Sequence, residues 1–224
     1  WSLGHQTNLA LQDFGLDPGE VSGWRARFLG WAGLGFDPHS VPACLVHGLL
    51  YFTPVFITAL LVGAFWEALF AGWRRRPVDE GLLAMAWLFA MLLPATVPLY
   101  QVALGMSFGI VVGKLIYGGS GRYLVNPALL ALTFLVFSYP QMLFTEGAWV
   151  PVPGYDQPTV LELITDEGGL RVGAAVDYSY WNLLLGDRPG SMGGVSTIGT
   201  LLGALFLVWT GMASWRIMLG AVLG

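Results

Sequence analysis

One cysteine, Cys44, occurs in 224 residues. That excludes an internal disulfide and a cysteine-based metal cage within this chain. Its position at the head of an apolar run gives it a packing role. Charge is sparse too: 11% of residues are charged and the net charge is −4, which leaves no basic patch for nucleic acid. Three histidines, His5, His39 and His47, are scattered, and His47, beside Gly48 at the start of an apolar run, reads as interfacial rather than as a ligand. No GxSxG, HExxH, Walker or GxGxxG element is present, so the usual soluble-enzyme chemistries have no foothold. No charged n-region marks a signal peptide. The chain opens at Trp1 and stops inside the apolar run Ile217–Gly224, and it reads as a fragment of a longer membrane protein, lacking N- and C-terminal parts.

What is abundant is apolar surface. The chain is 55% hydrophobic, with a mean hydropathy of +0.65, and carries 31 Gly and 10 Trp, as membrane proteins do. The expected fold is an all-α polytopic membrane protein, a transmembrane helix bundle with broken half-helices and an internal, inverted repeat. Residues 1–42, with turn signals at LDPGE and FDPHSVP, form an external segment. Residues 43–139 hold the first spans. The first runs from about Ala43 to Trp73, with a kink at Pro54, and ends at Arg74-Arg75-Arg76. A second, short run from Gly81 to Leu93 stops at PATVP. Residues 140–190 turn polar, with seven acids against Arg171 and Arg188, and a short helix is expected around Thr159–Ile164. Residues 191–224 resume membrane character and are truncated.

The chain is organised around Leu104–Leu129. Gly105, Gly109 and Gly113 recur every fourth residue, which lets helix backbones approach closely where burying Leu against Leu gains little. A Gly-Gly-Ser-Gly break follows, and Asn126 opens the next apolar segment. A polar break at membrane depth is tolerated only at an interface or around a cavity, although a plain turn between spans also fits. GGSGRYLVNPA and PGSMGGVSTIG resemble each other loosely, as paired broken helices of transporters do. Arg74–Arg76, Lys114 with Arg122, and Arg216 fall on one side of an alternating path, which the positive-inside rule makes cytoplasmic. Residues 1–42 and 140–190 then share the external face, with four to six crossings. Glu67 is the one acid within the spans. It either reaches the interface beside Arg74 or belongs to an ion path.

The blocks LVHGLLYFTPVF, VGAFWEALFAG, LPATVPLYQVALGMSFGIVVGK, YGGSGRYLVNPAL, LVFSYP, GSMGGVST and VWTGMASWRIMLG together resemble the B subunit of the sodium-translocating NADH:quinone reductases, from the first residues to the last. The D subunit of Rnf complexes shares the core pattern but resembles the N-terminal blocks less. The resemblance implies one member of a multisubunit complex (partners A, C, D, E and F) in the bacterial inner membrane, with residues 140–190 periplasmic. Electrons pass from NADH to ubiquinone and drive Na+ outward. It implies an FMN joined through a phosphoester to Thr159 and a riboflavin near Asn126 and Tyr123. It further implies a quinone near Gly63 and Ala64 and sodium uptake at Glu67; no metal-ligand set is read in this chain.

Thr159 follows Asn126 by 33 residues, the family spacing. The flavin-attachment loop departs from the family, however. Pro153 replaces an aspartate, Asp156-Gln157-Pro158 replace small residues, and Tyr123 replaces the first of two asparagines. An Rnf-type electron-transport subunit and a flavin-free transporter or channel are the alternatives.

Overall fold

The computed structural model describes residues 1–15, 23–75, 81–119, 121–140, 143, 149–152, 180–186 and 190–223. Every regular element among them is helical. In order they are α1 (Ser2–Asp13), α2 (Trp24–Trp31), α3 (Val41–Arg74), α4 (Leu82–Leu92), α5 (Leu99–Ile110) with a π turn (Val111–Leu115), α6 (Pro127–Ser138), α7 (Tyr180–Leu185), α8 (Thr197–Trp209) and α9 (Trp215–Leu223).

Helix α3 is the axis. Its 34 residues rise about 51 Å at 1.5 Å each, longer than the roughly 30 Å of a bilayer's hydrocarbon core. It alone among the described helices is long and apolar enough to cross a membrane by itself; α4, α5 with its π turn, α6 and α8 are shorter apolar helices. The core packs α3, α4, α5 and α6 through Val55, Ala59, Phe89, Val102, Met106, Ile110, Ala131 and Leu135. A Trp66 Nε1–H bond to Ser107 Oγ at 2.9 Å ties α3 to α5.

The glycine stripe of α5 does what its spacing predicts. A side chain at Gly109 would place its Cβ 2.5 Å from the Pro127 carbonyl oxygen, and one at Gly113 would come 3.1 Å from Pro127 Cα. Helices α5 and α6 therefore cross backbone to backbone. Between them Gly118 and Gly119 (both φ +107°) and Gly121 (φ +81°) take left-handed conformations that only glycine adopts at little cost. Asn126 then closes the break as the N-cap of α6, accepting from Ala128 N–H at 2.9 Å, which satisfies one of the helix's orphan donors. Ser196 does the same for α8, accepting from Gly199 N–H at 3.2 Å. The two loosely similar stretches thus each end in a capped apolar helix.

The loop ahead of α8 reaches back to α4. Met192 N–H donates to Leu93 O at 3.2 Å and Gly193 N–H to Met91 O at 2.8 Å, meeting carbonyls at a helix end that lack partners within the helix. A Cβ on Gly193 would collide with Met91 at 2.6 Å, so glycine permits this docking.

In the N-terminal segment the FDPHSVP stretch contains the expected turns, LDPGE lies outside the described residues, and a helix not read from the sequence precedes them. Residues Ser2–Asp13 form a helix that buries Leu3, Gln6, Thr7, Asn8, Ala10 and Leu11. It lies so close to α3 that a Cβ on Gly4 would fall 1.8 Å from Cys44 O. Its buried polar groups are satisfied: Gln6 Nε2 donates to Gly186 O at 3.1 Å, and Asn8 Oδ1 accepts from His47 Nδ1 at 2.6 Å. His47 is thus buried within the protein and hydrogen-bonded. Ala10, Leu11, Ala26, Leu29, Phe36, Val150 and Val152 form a second cluster. The start of the acidic segment therefore meets the N-terminal helices at one end of the molecule. The short helix expected around Thr159–Ile164 lies outside the described residues.

Helix α3 runs through Pro54 as one element. Proline lacks the N–H that would bond Leu50 O, four residues back. Arg25 of α2 fills the vacancy: its Nε–H donates to Leu50 O at 3.2 Å, while its guanidinium lies 4.2 Å from the Tyr51 ring centroid. Arg25→Met is expected to cost about 1 kcal/mol, the lower end of the penalty for stranding a carbonyl, because this one is only part-buried. In a Pro54→Ala background the new N–H takes over, and the same change should cost much less. Thermal midpoints of the four detergent-purified proteins form the cycle. Equal losses in both backgrounds would sink the capping role.

Candidate functional site

At the other end of α3, Glu67 and Lys114 form a buried ion pair. Lys114 Nζ lies 2.5 Å from Glu67 Oε1, and the side chains are 1% and 2% exposed respectively. Glu67 points inward because it falls one turn after buried Gly63 on the face of α3 that meets α4 and α5. Neither role read from the sequence pairs it this way. It does not turn to Arg74, which donates instead to Leu115 O at 2.7 Å. Lys114 sits in the π turn ahead of the Gly-rich break, fully enclosed. A π turn widens the helix locally and re-aims the residues it carries, often at functional sites.

The pair is incompletely satisfied. Glu67 Oε2 is buried and has no hydrogen-bond partner among the described residues. A buried carboxylate with one bare oxygen is costly, and it offers one ready ligand to a cation.

Lys114 also forms part of the wall of a half-open cavity of about 200 Å³. Gly81, Ala84, Met85 and Leu88 supply an apolar side from the start of α4, and Tyr123, Asn126 and Pro127 supply the other from the approach to α6. Asn126 uses its carbonyl oxygen as the helix cap, which leaves its NH₂ group outside that bond. The structure therefore brings Glu67, Lys114, Asn126 and Tyr123 to one locality. Among the described residues, the wall residue Lys114 links the carboxylate to the cavity. Sequence reasoning missed Lys114 as a buried partner and missed α4 as a wall. The available signal was Lys114's isolation as the one charge between Leu99 and Tyr117.

Gly63 and Ala64 do not share a surface. Gly63 is buried, and a Cβ there would meet Leu82 Cδ1 at 2.5 Å and Met106 Cε at 2.9 Å; Ala64 is exposed on the outer face of α3. Thr159 lies outside the described residues. No group of three or more His, Cys, Asp or Glu side chains capable of holding a metal occurs among the described residues.

A family model described as NQR2, RnfD, RnfE matches residues 21–224. Relatives named as the B subunit of Na(+)-translocating NADH-quinone reductase align along the whole chain. The Pseudomonas paraeruginosa protein is 43% identical over 224 residues, covering 55% of its own length. That of Chromohalobacter salexigens is 44% identical over 225 residues, covering 53% of its length, and that of Azotobacter vinelandii 40% over 224, covering 55%. The chain spans about half the length of the curated relatives it matches. With the family match running over nearly all of the sequence, from before α2 to beyond α9, this chain belongs to the NQR2, RnfD, RnfE family.

Proposed function

We propose that the chain is part of a multi-pass inner-membrane subunit of a Na+-pumping NADH:ubiquinone oxidoreductase, working with the other subunits of that complex. The alignment of the whole chain with B-subunit relatives carries this reading. In it, residues 1–42 and 140–190 lie on the periplasmic side, residues 43–139 and 191–224 form the membrane part, and the two capped-helix loops belong to an inverted repeat.

Two flavins are implied, an FMN on Thr159 and a riboflavin near Asn126. The cavity suits one edge of the second. It offers apolar walls at Met85 and Leu88 for a flat ring, with the Asn126 amide and Lys114 as donors to ring carbonyls. Its 200 Å³ falls short of the roughly 300–1,000 Å³ of sites that enclose a drug-sized ligand, so the remainder of the molecule extends beyond it. When bound, the flavins supply the electron-transfer chemistry, and the protein supplies binding, orientation and electrostatics. Asn126 and Tyr123 fix the ring edge. Lys114 places positive charge beside it. Glu67 holds that charge and is the carboxylate that takes Na+. Ala64, on the outer face one turn from Glu67, meets a quinone arriving from the lipid, while Gly63 lets α4 and α5 close behind it.

The covalent flavin is tested on the purified native complex in a denaturing gel. The band of this chain is expected to fluoresce under ultraviolet light and Thr159→Ala to abolish the signal. A dark wild-type band removes the covalent FMN from the account.

A further inference from the structure

We propose that Lys114 is an internal substitute for the transported cation: it occupies Glu67 when Na+ is absent and turns into the adjoining cavity when Na+ arrives. The proposal rests on the reading above that Glu67 takes Na+ and that the cavity seats a flavin edge. It adds the residue that would join the two.

Three observations carry it. Lys114 holds only one of the two Glu67 oxygens, and the other is buried without a partner among the described residues. A single carboxylate cannot neutralise both an ammonium and a metal cation in a site shielded from water, so the two compete. Lys114 also forms a wall of the cavity with Asn126 and Tyr123, so its flexible stem has polar space to enter without leaving the protein. There its charge favours an electron-rich ligand. Cation binding at Glu67 and negative charge in the cavity then strengthen each other, and by linkage the effect is reciprocal.

The test uses the intact detergent-purified complex and Na+ itself. Lys114→Met should bind Na+ at least ten-fold more tightly than wild type, because the competitor is gone. Lys114→Arg, which keeps the charge, should bind no more tightly than wild type, and Glu67→Gln should lose the site in every background. Unchanged or weaker binding in Lys114→Met overturns the proposal, as does tighter binding in Lys114→Arg.

A wild-type measurement covers the case in which Lys114→Met does not fold. Acetylation of Lys114 by acetic anhydride, read by mass spectrometry, should rise with Na+ and not with choline. No change, or protection, overturns the proposal. If extraction yields no noncovalent flavin, the flavin reading fails while the Na+ affinities still decide the competition. If flavin is present, its midpoint potential should rise with Na+ in wild type and not in Lys114→Met; an equal rise in both removes the coupling.

Discussion

Gly109→Ala is expected to destabilise the protein by about 3 kcal/mol, the upper end of ordinary overpacking. The added Cβ would stand 2.5 Å from Pro127 O, 2.6 Å from Ala131 Cβ and 3.1 Å from Ala131 Cα. Two of these three atoms are backbone, and the third is fixed directly to it, so no rotamer change relieves the clash. Helices α5 and α6 must separate. Separation also loosens Gly105 against Leu135 and Gly113 against Pro127, and so disturbs the π turn that carries Lys114. Gly63→Ala makes the control. Its nearest neighbours are the ends of Leu82 and Met106 at 2.5 and 2.9 Å, flexible groups that can swing aside. Thermal midpoints in detergent should fall much further for Gly109→Ala than for Gly63→Ala, and equal midpoints would refute the backbone crossing.

Glu67→Ala should cost about 3–5 kcal/mol, the usual penalty for removing one member of a buried ion pair. Lys114 is 1% exposed, so its ammonium loses the paired carboxylate while still largely shielded from water. The pair itself contributes little beyond its own desolvation, and Glu67→Ala/Lys114→Met should therefore recover most of the loss. Additive losses in the two single variants and the double would show that the residues act independently, contrary to the geometry. The same quartet, assayed for Na+-driven turnover, separates stability from function: the double variant should fold and yet fail to respond to Na+.

How much of this was legible follows from the range of each interaction. Helix α3, the Gly105/Gly109/Gly113 stripe and the Asn126 start of α6 were readable, because apolar length, four-residue spacing and capping are local signals. The ends moved only slightly: α3 begins at Val41 and α6 at Pro127, where Ser40 and Asn126 stand as caps. Helix α1 was not readable. Its buried Gln6, Thr7 and Asn8 look like a solvated face until their partners appear, and Gly186 and His47 lie far away in the sequence. The Glu67–Lys114 pair spans 47 positions, and no local pattern announces which buried lysine meets which acid. Arg25 capping the carbonyl freed by Pro54 is similar: the vacancy was predictable from proline, its occupant was not. The departures of the Thr159 loop from its family are a matter of residue identity and were fully visible.

The two amide bonds from Met192 and Gly193 to the end of α4 impose a schedule on synthesis. Roughly 100 residues separate donor from acceptor, and at about 5–20 residues per second a ribosome needs some 5–20 s to make them. Throughout that interval the Leu93 and Met91 carbonyls lack their eventual partners, at the edge of a short apolar helix that cannot span on its own. The nascent α4 must therefore be sheltered by α3, by water at the bilayer edge or by the insertion machinery until the loop emerges. A ribosome stalled before residue 192 would hold a chain whose helices are present up to α6 and still unlatched.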